Sequence, residues 1–141
     1  MVIKAPESQS PIKRGLDVLV VDDNEQNIEL LLAFLEDFVE QQGGRIRTAS
    51  DGLDAIKQIE TLAPDLLLLD VMMPRMSGFQ LCSRLKQNPA TKTIPIVLVT
   101  ALNEVSDVER ATDCGADDFI SKPVNRVELI ARIRTVLGRP R

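Results

Sequence analysis

The chain has 141 residues, a net charge of −4 and a pI near 4.9, with 44% hydrophobic and 27% charged side chains, the profile of one soluble globular domain with an ordinary core. The acidic balance and the absence of Trp and Tyr argue against direct nucleic-acid binding, which needs a basic face and stacking platforms. There is no histidine, which removes Ser-His-Asp triads, Cys-His pairs and histidine-ligated zinc and leaves carboxylates, hydroxyls, Lys, Arg or a metal for any chemistry.

Residues 1–15 are polar and rich in breakers (Pro6, Ser8, Ser10, Pro11, Gly15) and predict a flexible lead without the apolar stretch of a signal peptide. Leu16 to Val21 is apolar and β-branched, reads as a buried strand, and ends at Asp22-Asp23. Asn24 is placed to cap a helix from Glu25 to Gln41, in which Ile28, Leu31, Leu32, Leu35, Phe38 and Val39 recur at helical spacing until Gly43-Gly44. Arg45 to Ala49 alternates and predicts a more exposed strand. Asp51-Gly52 turns into a second helix with Ala55, Ile56, Ile59 and Leu62 on one face.

Leu66 to Leu69 is four leucines ending in Asp70, with Pro74 four residues on. Such a run predicts a strand buried on both faces of a parallel sheet. A loop from Met73 to Ser77 leads to a helix from about Gly78 to Gln87, which Asn88-Pro89 ends. Ile94 to Val99 is another apolar strand, closing on Thr100-Ala101. A weakly amphipathic helix over about Val105 to Asp113 stops at Cys114-Gly115. Asp117 to Ile120 is a short strand before Ser121-Lys122-Pro123, and a last helix from about Arg126 to Leu137 places Val127, Ile130, Ile133 and Leu137 on one side. Cys82 and Cys114 have no metal or redox spacing and are expected to be reduced, small apolar residues. No apolar run reaches the roughly 20 residues of a membrane span, and a cytoplasmic location is expected.

Strands and helices alternate, which predicts an α/β fold: a parallel sheet with right-handed crossovers, covered on both faces. The strand ends then share one edge, where open α/β sheets bind ligands. That edge carries Asp22, Asp23, Asp70, Thr100 and Lys122. Three crowded carboxylates repel unless something neutralises them. A hard divalent cation such as Mg²⁺ suits an all-oxygen set, and the lack of sulfur and imidazole disfavours zinc. Carboxylates, Mg²⁺, a lysine and a hydroxyl are the parts that hold a phosphoryl group. Asp70, alone at the end of a central strand, is the better candidate nucleophile for an aspartyl phosphate, and Asp22-Asp23 the better metal pair.

With these motifs in hand, the chain resembles a response-regulator receiver domain of two-component signalling, of the chemotaxis-regulator kind. The motifs are Val-Val-Asp22-Asp23-Asn, Leu-Leu-Asp70-Val-Met-Met73-Pro74 with Gly78, Val-Thr100-Ala101, and Gly115-Ala116-Asp117-Asp118-Phe119-Ile-Ser-Lys122-Pro123, in family order and spacing over residues 16–137. The resemblance implies a flavodoxin-like (βα)₅ three-layer sandwich with sheet order 2-1-3-4-5, and a short tail at 138–141. It implies that Asp70 takes a phosphoryl group from the phosphohistidine of a partner histidine kinase or phosphotransfer protein. Asp22, Asp23, Asp70 and the Met72 carbonyl would hold Mg²⁺. Lys122 and Thr100 would contact the phosphoryl group, and Thr100 and Phe119 would act as the switch, although an aromatic in a strand is by default a core residue. A cis bond is implied at Lys122-Pro123. The chain would not be an enzyme in the turnover sense. It would change its contacts with a downstream protein or output domain, with no nucleic acid or membrane bound directly.

The resemblance also implies that this surface, the last two helices and last strand, often serves for dimerisation or for binding partners in the family. The charges of Asp107, Glu109, Arg110, Arg132 and Arg134 could pair there, with a solvated face as the default. Met72 and Leu102 are apolar where the family's side chains flank the attacking water, which implies slow self-hydrolysis of the phosphoryl group. A Mg²⁺-dependent aspartyl-phosphate phosphatase of the haloacid-dehalogenase type is the alternative. That family wants an Asp two residues beyond the nucleophile, where this chain has Met72. A flavin carrier on the same fold would need a phosphate loop and aromatic flanks. The chain could equally be a stand-alone regulator or a receiver cut from a longer protein.

Overall fold

The computed structural model describes residues 3, 15–101, 109–110 and 112–138. Five strands, β1 (Asp17–Val21), β2 (Arg45–Ala49), β3 (Leu66–Asp70), β4 (Ile96–Thr100) and β5 (Asp118–Ser121), alternate with helices α1 (Glu25–Gln41), α2 (Gly52–Thr61), α3 (Gly78–Gln87) and α4 (Arg126–Leu137). The predicted helix over 105–113 falls largely outside the described residues; Glu109, Arg110, Thr112 and Asp113 within it are helical. All pairings are parallel, and the sheet order is β2-β1-β3-β4-β5, as the flavodoxin-like reading requires.

The leucine strand is the middle one of the five, and every residue in it is buried. Side chains alternate across the sheet. Leu67 and Leu69 join Ala55, Ile59, Leu81 and Leu85 in one core under α2 and α3. Leu66 and Leu68 join Leu31, Leu35, Phe38, Leu129 and Ile133 in a second core under α1 and α4. Each buried leucine contributes on the order of 1.5–3 kcal/mol relative to exposure, so β3 is a stiff support for the residue that ends it.

Register sets the height of each strand end. Val21 lies beside Leu69, so Asp22 is level with Asp70. Asp70 lies beside Val99, and Thr100 beside Ser121, so Thr100 and then Lys122 stand a step further out. At the opposite edge Asp17 is clamped by Arg45 Nε and Arg47 Nε, both at 2.9 Å.

Helix α4 corrects one expectation. Val127 was expected on the buried side and is 78% exposed; the buried stripe is Leu129, Ile133 and Val136, with Ile130 and Leu137 half-buried beside it. Two apolar stripes run along this helix at helical spacing, and only the sheet decides which one faces inward. In addition, β4 starts at Ile96 rather than Ile94. Pro95 has no N–H to donate, and its carbonyl accepts from Leu67 N at 2.9 Å. Within the predicted lead, Ile3 is buried in the α2–α3 core, and its carbonyl accepts from Asn88 Nδ2 at 3.0 Å.

Gly78 fixes the exit from β3. Its N–H donates to the Val71 carbonyl at 2.9 Å, and a capping box between Ser77 and Gln80 starts α3 there. A Cβ at position 78 would overlap the Asp70 carbonyl oxygen and lie 2.8 Å from Val71 Cα. Gly78→Ala is therefore expected to destabilise the protein by about 2 kcal/mol, within the range for overpacking, and to displace the end of β3. Thermal unfolding and amide shifts around Asp70 would check both effects; an unchanged melting curve would contradict the close approach.

Candidate phosphoryl and metal site

The carboxyl edge of the sheet brings together Asp22, Asp23 and Asp70, which each offer a carboxylate oxygen within 4.8 Å of the others. Lys122 Nζ donates to Asp70 Oδ1 at 3.0 Å. Thr100, at the end of β4, is buried, and its carbonyl accepts from Lys122 N at 2.7 Å, joining the two strand ends. The Lys122–Pro123 peptide is cis.

Asp22 is held from both sides. Its N–H donates to the Ala49 carbonyl at 3.1 Å, and its Oδ1 accepts from Asn24 N at 2.9 Å. Asn24 in turn caps α1, with its Oδ1 accepting from Asn27 N at 3.1 Å. One residue thus starts the helix and orients the acid. The other oxygen, Asp22 Oδ2, is buried with no hydrogen-bond partner among the described residues. An orphaned buried carboxylate oxygen costs on the order of 1–3 kcal/mol unless something satisfies it. A hard cation fits this all-oxygen cluster.

Burial raises the pKa of Asp22; the charge of Asp70 adds to this, while the Asn24 N–H and Lys122 oppose it. Burial likewise raises Asp70, against its hydrogen bond to Lys122 and the Met72 N–H. Each raised carboxyl favours the protonated form in the folded protein. Its contribution to stability is complete below the unfolded value and is lost as pH rises through the folded value. In chelator, the wild type is thus expected to lose stability from the carboxylate range towards neutral pH, and Asp22→Asn to flatten that slope. Melting temperatures across pH would check this; identical slopes would contradict it.

Among the other predicted site residues, Met72 is 73% exposed, and its backbone N–H lies against Asp70. Phe119 is half-buried and packs against the α2–α3 core, apart from the carboxylates. Leu102 and Asp107 lie outside the described residues. Three of the remaining charges are engaged within the chain. Arg132 bonds Asp118 at 3.1 Å, Arg110 lies over the Phe79 ring at 4.4 Å, and Arg134 lies over Phe38 at 4.9 Å. The sequence reading missed Asn27, whose backbone N–H holds the Asn24 cap and whose side chain opposes the rise in the pKa of Asp22. The signal was the polar run from Asp22 to Asn27 after an apolar strand.

The family model described as response regulator receiver domain matches residues 18–134. The response regulator PleD of Caulobacter vibrioides is 44% identical over 119 residues, covering 84% of this chain and 25% of PleD. The curated relatives are longer, and this chain spans about a quarter to a half of their length. Among solved structures, the signal receiver domain of a signal transduction histidine kinase from Syntrophus aciditrophicus is similar, with a TM-score of 0.79, 36% identity and coverage of 90% of this chain and 95% of that one. The receiver domain of the sensor histidine kinase PA1611 from Pseudomonas aeruginosa has a TM-score of 0.78 at 26% identity, covering 89% of this chain and 99% of that one, and is described with a magnesium ion in its active-site cleft. The phosphatase alternative is set aside, since the family match spans the whole site and exposed Met72 occupies the position of the required second Asp. The fold, the order of the strand ends and these matches lead to one conclusion: the chain belongs to the response regulator receiver domain family of two-component signalling.

Proposed function

We propose that Asp70 accepts a phosphoryl group from the phosphohistidine of a partner kinase or phosphotransfer protein, at a Mg²⁺ site held by Asp22, Asp23, Asp70 and the Met72 carbonyl. The observation that carries this is the contact of Lys122 Nζ with Asp70 Oδ1 at 3.0 Å beside an unsatisfied Asp22 Oδ2. Lys122 occupies one oxygen of Asp70 and leaves the other to attack phosphorus. The new bond is Oδ–P, and the bond broken is the donor's N–P. Bound Mg²⁺ would neutralise charge on the carboxylates and the transferred oxygens. The Thr100 hydroxyl would donate to a phosphoryl oxygen, and Lys122 would hold another or remain on Asp70. Phe119, half-buried behind Thr100 on the neighbouring strand, would follow that movement inward.

The chain would then be a switch rather than a turnover enzyme, acting in the cytoplasm through a downstream protein or output domain. It would bind neither nucleic acid nor membrane directly; among the described residues no helix is long and apolar enough to cross a membrane. A second copy on the face of α4 and β5 is a further candidate partner. The exposed Met72 side chain cannot orient a water, in keeping with a long-lived phosphoryl group. Incubation with acetyl phosphate and Mg²⁺, read by intact mass, is expected to add one phosphoryl group, and chelator to prevent it. No addition from either a small donor or a partner kinase would overturn the proposal.

A further inference from the structure

We propose that Cys82 and Cys114 form a dithiol that a hydroperoxide converts to an intramolecular disulfide, tying α3 to the turn that leads into β5. This site is separate from the acidic edge and does not depend on the phosphoryl reading.

The two cysteines are 32 residues apart in sequence, yet Cys82 Sγ donates to the Cys114 carbonyl oxygen at 3.4 Å, and both side chains are buried. Cys82 lies on the inner face of α3, and Cys114 precedes Gly115. The turn can come this close because Gly115 has no side chain. A Cβ there would meet Lys86 Cγ at 3.1 Å, and the backbone is left-handed, with φ +86°. Lys86, one helical turn after Cys82, fixes the same turn through a 3.0 Å bond to Asp117 Oδ2. The backbone that follows Cys114 is thus held against α3 beyond the thiol pair.

The pair is asymmetric. The neighbouring Cys82 thiol, with the Ala116 and Cys114 N–H groups, brings the Cys114 thiol down to about 7 against the opposing effect of burial. The nearness of Cys114, followed by burial, raises Cys82. Two core cysteines serving only as small apolar residues would need no contact between them. A thiolate-prone sulfur beside a protonated resolving thiol is one half of a redox-sensing arrangement, access being the other, and Cys114, 7% exposed against 0% for Cys82, is the more accessible of the two.

The steps balance. The Cys114 thiolate attacks one oxygen of hydrogen peroxide; an S–O bond forms, the O–O bond breaks, and the departing hydroxide takes a proton to become water. The Cys82 sulfur then attacks the Cys114 sulfur; the S–S bond forms, the S–O bond breaks, and a second water leaves with the Cys82 thiol proton. The two thiols are oxidised by two electrons and the peroxide is reduced to two waters.

The test uses the full chain, reduced and freed of reductant, then exposed to a modest excess of hydrogen peroxide and alkylated after denaturation. Both thiols are expected to disappear together and the mass to fall by two hydrogens. The peptides containing Cys82 and Cys114 should be joined, and dithiothreitol should reverse every change. In Cys82→Ser the reaction should stop at a Cys114 sulfenic acid that dimedone captures. Asp70→Asn should cross-link like the wild type, so failure of the phosphoryl reading leaves this result standing. Two thiols that still alkylate fully in the wild type, or a cross-link only between separate chains, would overturn the proposal; neither readout depends on a variant folding.

Discussion

Asp70→Asn is expected to reduce phosphoryl acceptance to background while leaving the fold in place. An amide oxygen can accept the Lys122 hydrogen bond now made at 3.0 Å. The amide nitrogen, with its lone pair in resonance, is no nucleophile. The substitution removes a buried charge whose pKa burial has raised, and it leaves the Lys122 ammonium with a neutral partner. These effects oppose each other, so the melting temperature should correspond to a change within about 1 kcal/mol. The rest of β3 is buried apolar side chain that the change does not touch. Intact mass after acetyl phosphate treatment checks acceptance, and thermal melting checks the fold. An adduct persisting in the variant would move the acceptor to another side chain, with Asp22 and Asp23 the first to examine.

Asp22→Asn combined with Asp23→Asn is expected to weaken Mg²⁺ binding roughly a hundredfold, about 2.7 kcal/mol. The three carboxylates approach within 4.8 Å, and a bound cation would make that crowding favourable. Removing two charges takes away most of the attraction while keeping the shape, because an amide oxygen at position 22 can still accept from Asn24 N. Titration calorimetry measures the affinity directly, and the Mg²⁺-dependent rise in melting temperature should shrink with it. Unchanged affinity in the double variant would place the metal elsewhere.

The sheet was readable because β1, β3 and β4 are mostly apolar runs cut off by polar residues, β2 alternates, and a parallel sheet lines up the strand ends. Asp22, Asp70, Thr100 and Lys122 were found in this way, and the register shows why they meet. Helix α1 was bounded correctly because both ends carry chemistry: the Asn24 cap and the positive-φ Gly43. What could not be read is what depends on the third dimension. The inward face of α4 passes through Leu129 and Val136, and Val127 offered an equally periodic alternative. The meeting of Cys82 and Cys114 has no sequence spacing to announce it; it follows from how closely the Gly115 turn approaches α3. Burial of Ile3 in the α2–α3 core depends on a single apolar residue in a polar segment, too little for periodicity to register.

The most direct measurement is chemical trapping of the acyl phosphate. Wild-type protein phosphorylated in Mg²⁺ would be reduced with borohydride, which converts a phosphorylated aspartate to homoserine, and then mapped by peptide mass spectrometry. The expected result is homoserine in place of Asp70 alone, absent when chelator replaces Mg²⁺. Homoserine at Asp22 or Asp23, or a phosphorylated chain in which Asp70 stays unconverted, would contradict the assignment of Asp70 as the acceptor.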